Sequence, residues 1–170
     1  MGWPPTQVGC LIITYQNETT GTMEPSSMWK VVRSILAVIA GFVAASLIMV
    51  VVETVNGHVL YPELGKMAEG MTDREEIRAL MASAPVGAFL VVLLGWVLGS
   101  LVGGLLAAWI GWHAPVAHAL ALGGCLTLAG IANNLMLSPP RWFWIVSLIV
   151  FLPAVYAGAR LAPRRSQAKT

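Results

Sequence analysis

"ALMASAPVGAFLVVLLGWVLGSLVGGLLAAWIGWHAPVAHALALGGCLTLAGIANNLMLSPP", residues 79–140, contains no Asp, Glu, Lys or Arg. A helix needs about 20 apolar residues to cross a hydrocarbon layer of ~30 Å. This run is about three times that requirement, so the chain must fold back within the bilayer. "GWHAP", residues 111–115, is where it turns: Gly and Pro punctuate helices, and Trp109 and Trp112 suit the headgroup level. One charge-free run therefore reads as two spans, 85–110 and 114–137. Apolar runs on either side supply two more, at 29–52 and 142–161. The expected fold is all-α, an integral membrane four-helix bundle.

The totals agree. Hydrophobic residues make up 57% of the chain and charged residues 11%, with a mean hydropathy of +0.75. A soluble domain carries about 25% charged residues, so the lipid bilayer is the expected surrounding medium. The net charge of +2 is small and its basic residues are scattered, which leaves no tract suited to nucleic acid. Cys10 and Cys125 lie far apart in unlike contexts and read as free thiols. No metal site and no cofactor are expected.

Orientation follows from the cations. Lys30 and Arg33 open the first span, and Arg160, Arg164, Arg165 and Lys169 follow the last. The 53–84 loop dilutes Lys66, Arg74 and Arg78 among six acids. Both termini are expected in the cytoplasm, with residues 163–170 forming a basic tail. Residues 1–28 lack a basic n-region and a long enough apolar core for a signal peptide. They read as a disordered leader, or as a mis-assigned start with translation beginning at Met23 or Met28. Asn17-Glu18-Thr19 fits the glycosylation pattern, but a cytoplasmic leader could not carry the sugar.

Within the first loop, Thr72 and Glu75 form a capping-box pattern. Ile77, Leu80 and Met81 follow at helical spacing, and Pro85 closes the segment. The pattern predicts a short interfacial helix lying on the headgroups.

Packing signals are stronger. Gly95, Gly99, Gly103, Ala107 and Gly111 recur every four residues along the second span. The first span carries Ala37, Gly41 and Ala45, and the third Ala121, Cys125, Ala129 and Asn133. Small residues let helix backbones approach closely in lipid, so these faces are expected to meet, within one chain or between chains.

Polar groups collect at one boundary. Glu53, Asn56, His58 and Tyr61 end the first span, Asn133 and Asn134 lie near the end of the third, and Arg141 opens the fourth. From Trp29 to Glu53 a helix rises roughly 36 Å at ~1.5 Å per residue, more than the ~30 Å hydrocarbon. Glu53 is therefore expected at the interface, with Arg141 as its cation and His58, Asn133 and Asn134 completing a polar cap. His113 and His118, five apart across a proline turn, read as interfacial rather than ligating. Pro153 is expected to kink the fourth span and free the carbonyl of Ile149.

The stretches "WKVVRSILAVIAGFVAAS", "GWVLGSLVGGLLAAWI" and "PRWFWIVSLIVFLPAVYAGARLA" cover most of residues 29–162. Through them the chain resembles the small four-span bacterial inner-membrane proteins of unknown function. That resemblance implies a multi-pass place in the bacterial inner membrane and names no activity. No nucleophile elbow, HExxH or P-loop is present, and no catalytic residue is expected. The expected function is non-enzymatic: an oligomer or accessory subunit partnered by its own copy or another membrane subunit. The alternative is a small proton- or cation-coupled transporter using Glu53. What separates the two is whether Glu53 faces a cavity reaching toward the middle of the bilayer.

Overall fold

The charge-free run does turn at 111–114. Gly111 ends one helix, its N–H donating to the Ala107 carbonyl, and Pro115 opens the next. Pro fits a first helical turn because the N–H it lacks would have had no intrahelical partner there. A computed structural model describes residues 25–163, and every regular element within them is helical. Helix α1 is Pro25–Val55 and continues through a π-helical turn, Asn56–Leu60. Two short helices follow, α2 (Pro62–Ala68) and α3 (Arg74–Ser83). The remaining long helices are α4 (Val86–Ile110), α5 (Pro115–Leu137) and α6 (Arg141–Leu161).

Four of these segments are long and apolar enough to cross a membrane: Met28–Leu60, Val86–Ile110, Pro115–Leu137 and Arg141–Leu161. The protein is a multi-pass membrane protein with an all-α four-helix bundle. The leader and tail expectations for residues 1–24 and 164–170, including those for Cys10 and Asn17, lie outside the described residues. By contacts the chain divides into residues 1–32 and 33–170. Of the first unit, residues 25–32 form the opening turns of α1; the bundle belongs to the second.

Helices α1 and α4 run antiparallel, and small residues set their register. A Cβ on Gly103 would stand 2.6 Å from the Gly41 carbonyl oxygen, and one on Gly99 would stand 2.7 Å from that of Ala45. Gly95 meets Val52, and Ala107 lies beside Gly41. Backbones can touch in this way only where side chains are absent or are single methyls. The stripe Gly95, Gly99, Gly103 and Ala107 is therefore taken up by the chain's own first helix. At the hairpin end, Arg33 Nε donates to the Ile110 carbonyl at 2.8 Å, and its guanidinium lies 5.2 Å from the Trp112 ring centre. A cation at a helix C-terminus satisfies an orphan carbonyl and complements the dipole.

The opposite side of α4 packs on α6: Gly104 backs onto Val155, and Gly158 onto Leu101 and Leu105. Helix α5 closes the bundle, with Gly123 against Val155 and Leu152 and Gly130 against Phe151. The expectation that the third span's small face meets the first is corrected. Ala121, Gly124, Cys125 and Ala129 are exposed, and a Cβ on Gly124 would meet nothing within 4 Å. Gly41 and Ala45 have already been used by α4, which leaves α1 the least buried of the four spans.

One local expectation changes. Helix α3 is capped by Asp73 rather than Thr72: the Asp73 side chain accepts from the Glu75 N–H at 3.1 Å. Either residue suits an N-cap, and the helix starts one position later than the Thr72 pattern implies. Its apolar side is turned to the bundle, with Leu80 buried and Met81 and Ala84 packed against the core. In α6, Pro153 lies on an exposed side and the helix continues through it.

Candidate functional site

Glu53 is the only acid on the first span after Arg33. Its Oε1 accepts a hydrogen bond from Trp96 Nε1 at 2.9 Å, and that tryptophan is 3% exposed. Aromatic contacts hold the indole in place: Phe151 stacks on it at 5.2 Å and Phe143 meets it edge-on at 5.6 Å. Phe89 and Trp142 extend the same aromatic column toward the loop end of the bundle. A buried indole needs an acceptor for its N–H, and here the acceptor is Glu53.

This pairing sets Glu53 level with Trp96 of α4. Trp96 is the eleventh residue of the 25-residue α4, about 15 Å from that helix's loop end at ~1.5 Å per residue. Glu53 itself is exposed at that level of the bundle. The expected pairing with Arg141 is absent. Among the described residues the ion pair present is Glu63 with Lys66, and Arg141 is exposed.

Two cavities meet at Glu53. The first, of about 240 Å³, is walled by Phe42, Ser46, Met49 and Glu53 of α1, by Trp96 and Phe151, and by Leu126, Gly130 and Asn133. Its rim includes Val50 and Ala129, which are exposed between α1 and α5. The second, of about 310 Å³, lies toward the loop end beneath α2 and α3, which supply Leu64, Ala68 and Met81. Glu53, Asn56, Asn133 and Asn134 line it together with Phe89, Val92, Leu137 and Phe143. Among the described residues, no Lys or Arg lines either cavity. Glu53 and Asn133 belong to both.

The amides around the second cavity are incompletely bonded. Asn56 Nδ2 donates to the Ala88 carbonyl at 3.2 Å, which fixes its orientation because a carbonyl only accepts. Asn134 Nδ2 donates at 3.0 Å to Ser147 Oγ, whose own proton goes to the Trp144 carbonyl. Both Asn56 Oδ1 and Asn134 Oδ1 are buried without a donor. Ser100 Oγ is a third buried atom without a partner, but Ser100 lines neither cavity.

Of the expected cap, the structure brings together Glu53, Asn133 and Asn134. His58 is exposed, its Nδ1 turned back to the Thr54 carbonyl at 3.1 Å, and neither it nor Arg141 lines the cavities. Trp96 was missed as a partner, and Asn56 was placed at the boundary but not joined to the site. Both left a signal: Glu53 and Asn56 are i, i+3 on one helical face, and Trp96 is a tryptophan in mid-span rather than at the headgroups. At the hairpin end His113 and His118 do come together, with ring centres 4.8 Å apart, and His118 is buried with Nδ1 2.6 Å from the Ala114 carbonyl oxygen.

Fold and site together define a multi-pass membrane protein whose helices bring an exposed carboxylate, Glu53, beside the amides of Asn56, Asn133 and Asn134. Compared with protein-family models, curated proteins and solved structures, the chain matches none.

Proposed function

We propose that the protein is a small carrier of the bacterial inner membrane in which Glu53 exchanges a proton for a cation. The observation that supports this reading is the position of Glu53: within the first candidate span, on the wall of two cavities, with an indole N–H beside it and, among the described residues, no ion pair. An ionisable group in a membrane span is costly, and such groups gather along substrate and ion paths. The preferred expectation of an accessory subunit rested on the small-residue stripe of the second span. Because α1 takes up that stripe, its weight falls. The reading assigns no enzymatic activity.

The test uses vesicles containing the purified protein, acidic inside, given Na+, K+ or ethylammonium outside. Alkalinisation of the lumen above that of protein-free vesicles is expected with at least one of the three cations. No excess with any of them overturns the carrier reading.

Orientation belongs to the same proposal. The cations at both chain ends put the loop end of the bundle, and the mouth of the larger cavity, outside the cytoplasm. A reporter active only outside should work when fused near Gly70 and fail at the C-terminus. The reverse pattern would turn the site toward the cytoplasm.

A second reading, a homo-oligomer, is favoured by one observation: the small face of α5, Ala121, Gly124, Cys125 and Ala129, is left open. Two such faces could pack together as small-residue faces do in lipid. In a Cys10→Ser background, mild oxidation in membranes should then link Cys125 to its copy. Only monomer under conditions that link a known membrane dimer would remove this reading.

A further inference from the structure

We propose that a groove at the hairpin end of the bundle holds the phosphate of an anionic phospholipid. The groove measures about 420 Å³ and runs between Ala108 of α4, Trp112 of the hairpin, Val116 of α5, and Ala159, Arg160 and Ala162 at the end of α6. These residues share one level. Candidate spans end at Ile110 and Leu161 and another begins at Pro115, so the groove lies where three apolar helices stop and lipid headgroups stand. Trp112 is exposed there, as tryptophans at the headgroup level are. The groove shares no residue with the cavities at Glu53 and does not depend on the carrier reading.

Charge selects the ligand. Arg160 is the charged residue on the groove wall; it is exposed, and its guanidinium lies 5.6 Å from the Tyr156 ring centre. Among the described residues it forms no ion pair. Arg33 does not line the groove, but it brings a second guanidinium 5.2 Å from the ring centre of Trp112. No carboxylate answers these cations: every acid among the described residues lies between Glu53 and Glu76, on the last turn of α1 or in the loop before α4. A phosphate accepts hydrogen bonds from a guanidinium in a geometry that suits both partners. The rest of the headgroup then decides the lipid class. Choline or ethanolamine would add a cation near two guanidiniums with no carboxylate to meet it, whereas glycerol adds none. Ala108, Val116, Ala159 and Ala162 give the groove an apolar wall that a lipid's hydrocarbon can cover and a free phosphate cannot. Basic pockets between spans hold anionic headgroups in this way.

The experiment is native mass spectrometry of the delipidated full-length chain, titrated with phosphatidylglycerol and phosphatidylcholine of identical acyl chains. Phosphatidylglycerol should bind at least about fivefold more tightly, the effect of one basic residue near anionic lipid. Arg160→Gln should weaken phosphatidylglycerol by at least about fivefold and leave phosphatidylcholine unchanged. Val116→Trp fills the groove with Arg160 still in place, so it should weaken phosphatidylglycerol too, and it gives a second reading if Arg160→Gln fails to fold. Arg141→Gln is the control. That arginine is exposed at the opposite end of α6, farther away than charges act through salt, and its loss should change phosphatidylglycerol affinity by less than about twofold. Equal binding of the two lipids by the wild type would overturn the proposal. A loss in Arg141→Gln as large as that in Arg160→Gln would mean diffuse charge rather than a site, and would overturn it as well. Displacement of phosphatidylglycerol by an equal concentration of glycerol 3-phosphate would overturn it in favour of a soluble phosphate. Unchanged phosphatidylglycerol affinity in folded Arg160→Gln or Val116→Trp protein would place any preference outside the groove, with the same result.

Discussion

Gly103→Leu should unfold or loosen the bundle more than any other single change along the α1–α4 seam. Even a Cβ at this position would stand 2.6 Å from the Gly41 carbonyl oxygen, 3.0 Å from Ala45 Cβ and 3.2 Å from Leu122 Cδ2. Two of these neighbours are a backbone atom and a Cβ, which cannot swing aside, so the helices themselves must separate. Overpacking costs typically 1–3 kcal/mol, and with rigid neighbours a loss of about 3 kcal/mol is expected. Gly124→Leu is the matched control: nothing lies within 4 Å of its Cβ position, and its stability should stay within about 0.5 kcal/mol of wild type. Denaturant titration of the two variants in the same detergent reads the difference. Equal stability would mean that α1 does not pack on α4 through Gly103.

Glu53→Gln should leave the fold intact and abolish exchange. The amide oxygen of Gln can still accept from Trp96 Nε1, so the 2.9 Å hydrogen bond and the aromatic column can persist. What disappears is the negative charge and the proton site. A carrier that depends on them should lose at least about 100-fold of its cation-driven lumen alkalinisation, the scale of removing an essential acid–base group. Expression and melting temperature should remain near wild type. A boundary Glu, as counted from Trp29, would make the same substitution silent. Full exchange by a well-folded Glu53→Gln protein would therefore return the residue to a structural role.

The bundle was legible because its signals are local. Absence of charge over residues 79–140, the Gly and Pro of the hairpin, and the four-residue period of Gly95, Gly99 and Gly103 can all be read without knowing any partner. Helix α4 begins at Val86 and α5 at Pro115, each one residue from the boundary expected. The site was less legible because it depends on which helix faces which. Asn133 and Asn134 were found as amides near a span end. Glu53 was found, but its neighbours depend on the α1–α4 register and not on its own helix. Arg141 and His58 share a sequence neighbourhood with the polar cap but point elsewhere, and no spacing rule reveals that. Trp96 could be paired with Glu53 only once the α1–α4 register was known.

The hydrogen bond from Trp96 to Glu53 spans 43 residues of sequence. At about 5–20 residues per second, the ribosome adds Trp96 roughly 2–9 s after Glu53. During synthesis the first helix thus precedes the helix that carries its hydrogen-bond donor. In that interval the carboxyl group lacks this donor. Only when α4 arrives does the carboxylate gain its indole partner, so the order of biogenesis makes assembly of the α1–α4 pair the step that gives Glu53 this hydrogen bond.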